Sequence, residues 1–182
     1  MPKVHVIGLP YHLIQDRRML VLPPFNPVLF VDPQRDLFER LLKDRIGSLA
    51  VTFVGEEASH DCETIAHQVC GTSVEYANID MTKEQRLQLG IPVGYNERDF
   101  KPEQKRKWNR EREEFMVDRI EFNVQKYSVA NAIVICGGGH SVELEALLSK
   151  AGYEVDREEL QDQGWYDAPK WDQLVEQGPG YA

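Results

Sequence analysis

Ala132-Ile133-Val134-Ile135-Cys136, running into Gly137-Gly138-Gly139-His140, is the stretch on which the fold reading turns. Five apolar residues without polar alternation read as a strand covered on both faces. The glycines that follow allow a tight turn and close backbone approach. A helical pattern then runs from Ser141 to Lys150 and is stopped by Gly152, and Tyr153–Val155 reads as a further strand. This is a strand–turn–helix–strand unit.

The same alternation extends toward the N-terminus. Leu49–Val54 is a second strand of buried character, and Lys3–Ile7 and Val74–Ile79 are β-branched or apolar runs bounded by turn residues. Asp32-Pro33 supplies an N-cap with proline at the first helical position, and Leu37, Leu41 and Leu42 stripe the helix that ends near Gly47. Residues 59–70 are helical in pattern, and Thr82 caps a short helix over Lys83–Leu89. Gly90 to Lys101 is a loop or small insertion. Pro102 to about Tyr127 is a long charged helix with Trp108, Phe115, Met116, Ile120 and Phe122 for its buried side. Between residues 11 and 31, Pro23, Pro24 and Pro27 forbid a helix, and Val28–Val31 is a strand or a core-packing loop. The expected fold class is α/β, a mainly parallel β-sheet flanked by helices, with the site at the C-terminal strand ends. One domain is expected over residues 1–160. In the tail, residues 161–182, Trp165, Tyr166 and Trp171 are expected to pack on that domain or on a protein partner or second copy.

Composition narrows the function classes. The 182 residues carry 21 Lys and Arg against 30 Asp and Glu, a formal charge of −9, which disfavours a protein that grips nucleic acid or anionic lipid over its whole surface. At 42% hydrophobic residues the chain is too apolar for a disordered one. No apolar run approaches the roughly 20 residues of a membrane span. No secretory leader opens the sequence, and Cys62, Cys70 and Cys136 have no framework spacing. A cytoplasmic protein with reduced thiols is therefore expected.

Three segments could carry chemistry. Gly55-Glu56-Glu57-Ala58-Ser59-His60-Asp61-Cys62-Glu63 follows a buried strand and places carboxylates beside a histidine, a pairing suited to activating water. Glu63, His67 and Cys70 recur at i, i+4 and i+7, a stripe of residue types that bind one divalent transition metal; the bland reading leaves His67 and Cys70 as ordinary helix residues. Gly137, Gly138 and Gly139 form a cofactor-binding candidate at a helix start. The dipole there favours a neutral His140, the form a general base or metal ligand requires. Lys101 to Arg112 holds six basic residues against two acidic ones, either a solvated face or a local nucleic-acid contact.

Taken in order, these segments resemble the superfamily of TraB/Tiki-type proteins, ChaN-like proteins and erythromycin esterases. Glu57-Ala58-Ser59-His60-Asp61 is similar to its Glu-x-(Ser/Thr)-His signature, and Arg112-Glu113-Glu114-Phe115-Met116 to its Arg-(Asp/Asn)-x-x-Met pattern. Gly137-Gly138-Gly139-His140, with Leu144, Leu147, Leu148, Gly152, Tyr153 and Val155, resembles the close of that domain. The likeness spans roughly residues 49–156, and Glu113 stands where Asp or Asn is usual. The resemblance implies a site of Glu57, His60, Arg112 and His140, with Glu56 and Glu63 nearby. It implies water attack on the carbonyl of a small-molecule or peptide ester or amide. A metal-assisted form would use Glu57, His60, Glu63, His67 and His140. The alternative is a non-catalytic domain binding a ligand, haem or metal within a complex, and a third reading is nucleotide or nucleic-acid binding through the basic helix.

Overall fold

The computed structural model describes residues 1–10, 14–15, 31–58, 63–93 and 100–177; of 173–177 only the backbone is described. Five strands form one sheet: β1 (Lys3–Leu9), β2 (Phe53–Glu56), β3 (Glu75–Asn78), β4 (Asn131–Gly137) and β5 (Glu154–Glu159). Their order is β3-β2-β4-β1-β5, and every neighbouring pair is parallel. The fold is α/β. The most apolar strand, β4, takes the central place, where Val134 lies opposite Val6 of β1 and Gly55 of β2. The highly charged β5 takes an edge, where charge discourages pairing with another chain.

Among the described residues the α-helices are α1 (Val31–Ser48), α2 (Ile65–Cys70), α3 (Lys83–Gln88), α4 (Pro102–Lys126), α5 (Gly138–Lys150) and α6 (Ala168–Gln177). Because side chains alternate across a strand, the sheet feeds two cores. Ile7, Leu9, Val54, Ile133 and Ile135 pack with Phe38 and Leu42 of α1, Ile65 of α2 and Trp171 of α6. Val4, Val6, Phe53, Val134 and Cys136 pack with Met116 and Ile120 of α4 and Leu144 and Leu148 of α5. The connections leaving β1 and β2 thus run over one face, and those leading to and from β4 run over the other. β4 therefore has a crevice on each side at its C-terminal end, where neighbouring connections part to opposite faces. Among the described residues no helix is long and apolar enough to cross a membrane.

Several element boundaries differ from the sequence reading, each for a local reason. β2 begins at Phe53, not Leu49, because α1 needs residues to close. Ala50 takes a positive φ of 50°, and the Val51 N–H donates to the Ile46 carbonyl at 3.0 Å. The helix expected over 59–70 is described only as α2, with Thr64 as N-cap; residues 59–62 lie outside the described set. α5 begins at Gly138, so the glycines form a cap and first helical turn in place of a separate loop. Phe122 is exposed, since the buried stripe of α4 runs through Glu113, Met116, Val117, Ile120, Asn123 and Val124. The expectations for residues 11–31 fall outside the described residues, except at Ile14, Gln15 and Val31.

Candidate active site

The crevice between β4 and β2 holds a buried cluster of charge. Glu57 follows β2 directly, its N–H donating to Ile135 O of β4 at 2.8 Å, which fixes its backbone at the strand ends. One carboxylate oxygen accepts from Gly137 N at 2.8 Å, and the other accepts from Arg112 Nη2 at 2.5 Å. Arg112 reaches in from α4. It also grips Asp80, through Nε to Oδ1 at 3.2 Å and Nη2 to Oδ2 at 2.8 Å. Asp80 in turn accepts from Arg86 of α3. Such forked carboxylate–guanidinium contacts are directional, so the three groups hold one another's geometry. Burial opposes the Arg112 charge, and the Glu57 and Asp80 carboxylates more than offset it.

His140 closes the cluster from the first turn of α5. Its Nδ1 lies 2.7 Å from Glu113 Oε1, and its Nε2 lies 3.2 Å from Arg112 Nη1 and 3.7 Å from Glu57 Oε1. A carboxylate acceptor at Nδ1 assigns the proton there, which leaves Nε2 to accept from Arg112 in the neutral ring. A second proton on Nε2 would face Arg112 as donor against donor, with Glu57 Oε1 the group it could turn toward. Burial lowers the His140 pKa and Arg112 lowers it too, but Glu113 and Glu57 prevail and hold it above the ordinary value. The direction is opposite to the one the helix dipole alone would give. A buried carboxylate in hydrogen-bond contact outweighs a terminal dipole of about half a charge.

Of the four residues expected to carry catalysis, Glu57, Arg112 and His140 come together here, and His60 lies outside the described residues. Glu63 and His67 are exposed, and the His67 ring stacks on Tyr76 at 4.4 Å, so neither joins the cluster. The stripe expected over Glu63, His67 and Cys70 does not form: Glu63 precedes α2, His67 is exposed and Cys70 is buried. Glu56 points to the opposite face, where its fully buried carboxylate accepts from Thr64, from Tyr76 OH at 2.7 Å and from Gln15 Nε2 at 3.0 Å. Burial beside Glu56 pushes the Cys70 thiol up to about 12, and burial raises Cys136 as well, so neither supplies a thiolate at neutral pH.

The donor set also bears on the metal expectation. Among the described residues no three His, Cys, Asp or Glu side chains are grouped to hold a metal ion. Where Glu57 and His140 approach each other, the Arg112 guanidinium already contacts both. These residues do not fit a divalent cation, which would meet a resident positive charge.

Asp80, Arg86 and Glu113 complete the cluster and were not among the sequence candidates. Glu113 left a readable trace, since it sits three and four residues before Met116 and Val117 in the buried stripe of α4. A charged residue at such a position needs a partner. Asp80, lying before the Thr82 cap, reads as ordinary turn chemistry and left none. No family model, no curated protein and no solved structure matches this chain.

Proposed function

We propose that this chain is a hydrolase-like protein in which the Glu113–His140 pair and Arg112 assist attack of water on an ester or amide carbonyl. The observation that carries the reading is the meeting of Arg112, Glu57 and His140, drawn from three separate segments into one crevice beside the central strand. In this reading Arg112 stabilises the negative charge that develops on the carbonyl oxygen. His140, oriented through Nδ1 by Glu113, delivers a proton from Nε2 to the leaving group. His60, three residues beyond Glu57 in the sequence, is the base that takes the proton from water. The resemblance to the TraB/Tiki, ChaN-like and erythromycin-esterase superfamily supports the same assignment, and no step is routed through a metal.

The test is hydrolysis of a panel of nitrophenyl esters and amides by wild type, His60→Gln and His140→Gln, with thermal unfolding of each as the folding control. Each substitution is expected to lower kcat by roughly 10²–10⁴-fold while KM changes little. A folded wild type with no turnover on any member, or folded variants with full turnover, would overturn the reading. One observation favours the binding alternative instead. Arg112 is engaged by two carboxylates, a state in which a guanidinium is fixed and neutralised.

A further inference from the structure

The second crevice beside β4 lies toward β1 and β5 and is separate from the charge cluster. It is a cleft of about 420 Å³, lined by Pro10, Gly138, Gly139, Val142, Arg157, Glu159 and Gln161. That volume falls within the range of small-ligand sites, at the place where open parallel sheets bind them. Glu159, the last residue of β5, forms its wall. Its Oε1 accepts from Ser141 Oγ and from Arg157 Nη1, both at 2.5 Å, which fixes the carboxylate. Its Oε2 accepts no hydrogen bond from the described residues. The carboxylate needs Gly8: a Cβ there would stand 2.1 Å from Oε2, and one on Gly138 would stand 3.5 Å from the same atom. Two glycines therefore leave room for one immobilised acceptor at the edge of a cleft. Arg157 gives Nε to Glu145 and Nη1 to Glu159, which leaves Nη2 as a donor beside it. The exposed Val142 side chain, with Pro10, adds an apolar wall.

We infer that this cleft binds a ribonucleoside through the vicinal diol of its sugar, with Glu159 Oε2 accepting from the two hydroxyls. A fixed carboxylate suits a diol because its lone pairs can receive both hydroxyl protons, and Arg157 Nη2 can return a donor to a hydroxyl oxygen. Val142 and Pro10 offer the apolar surface a base or sugar face requires. The inference is independent of the hydrolytic reading, since neither Glu159 nor Arg157 enters that chemistry.

Titration of the wild-type protein with adenosine, 2′,3′-dideoxyadenosine and D-ribose, followed by backbone amide shifts, tests it. Adenosine is expected to shift Gly138, Gly139 and Val142 and to bind at least about tenfold more tightly than the dideoxy compound, because a site built to meet hydroxyls rejects their absence. Glu159→Gln is expected to reduce adenosine binding to the dideoxy level. Ribose binding as tightly as adenosine would keep the diol site but assign it to a free sugar, overturning the nucleoside. Equal binding of adenosine and dideoxyadenosine overturns the inference without any variant, so a poorly folding Glu159→Gln leaves it testable. Absence of shifts for all three compounds at their solubility limits overturns it too.

Discussion

His140 Nδ1 lies 2.7 Å from Glu113 Oε1, a bond between the two helices that cover one face of the sheet. Glu113 touches no other group in the charge cluster that a hydrogen bond records, so it acts on the cluster through His140 and is a positioning residue. Its partner is held in one orientation, with Nε2 directed at Arg112 and Glu57.

Replacing Glu113 with Gln should lower the His140 pKa, as loss of an adjacent carboxylate does. Burial and Arg112 both push that pKa down, and only Glu57 would remain to oppose them. Imidazole resonances followed against pH measure the shift directly. The sign for stability follows from linkage. A raised folded-state pKa stabilises fully below the unfolded value near 6.5 and ceases to do so as pH rises through the folded value. The stability lost in Glu113→Gln should therefore be largest at mildly acidic pH and shrink above neutrality. A gap that widens with pH would contradict the assignment.

Arg112→Met should destabilise the fold by about 3–5 kcal/mol, because it takes from the buried Glu57 and Asp80 carboxylates the cation they share, while Asp80 keeps Arg86. Arg112→Lys should recover only part of the loss, since a point charge cannot span Glu57, Asp80 and His140 as the forked guanidinium does. Adding Glu57→Gln to Arg112→Met should restore some stability by removing a buried charge that Arg112 no longer meets. Denaturant unfolding of the three variants reads all these outcomes, and a double variant no better than Arg112→Met would show that Glu57 is not the burdened group.

The fold was legible because β4 advertises itself. Five apolar residues in Ala132–Cys136 require cover on both faces, and that demand sets an α/β sheet with β4 inside it. Glu57 and His140 were legible because each stands beside a local signal, a strand end and a glycine turn, whereas Arg112 was marked by a resemblance of motif alone. Asp80 and Arg86 were not. Asp80 meets Arg112 across 32 positions and brings Arg86 with it, and nothing in Asp80-Met81-Thr82 distinguishes a cluster member from a turn residue before a cap. The separation of Glu56 from Glu57 was also hidden. Adjacent residues at a strand end point to opposite faces, so one carboxylate joins the charge cluster and the other accepts from Thr64, Tyr76 and Gln15.

Acid should weaken the protein through Glu158, the opposite sign to His140. Burial raises its pKa, but hydrogen bonds from His5 and Arg45 prevail and hold it at about 2. Arg45 makes a two-pronged contact, both nitrogens at 3.1 Å, and His5 Nε2 lies 2.8 Å away. A depressed carboxyl contributes stability above its unfolded value near 4.5 that is lost as pH falls toward 2. The contribution is on the order of 2–3 kcal/mol. Glu158→Gln should therefore be less stable than wild type at pH 6, and the two should converge as pH approaches 2. Urea unfolding across that window decides it.

Trp171 ties the C-terminal helix α6 to the body, and its loss should be costly. The side chain is fully buried in the core beneath α1, its ring stacked on Tyr166 at 6.1 Å between centroids. Its Nε1 donates to Gln34 Oε1 at 3.3 Å, Asp167 N donates to the same oxygen at 3.4 Å and Gln34 Nε2 donates to Trp165 O at 3.0 Å, so one α1 side chain holds the tail at three points. Trp171→Ala removes a large side chain from a closed space and should cost about 3–5 kcal/mol. Gln34→Ala breaks all three polar contacts but leaves the ring in place, and should cost about 1–3 kcal/mol. If the tail instead served mainly to meet a partner, Trp171→Ala would leave the isolated chain's unfolding midpoint unchanged. Thermal and denaturant unfolding of the two variants therefore separates a tail built into the core from one held for another molecule.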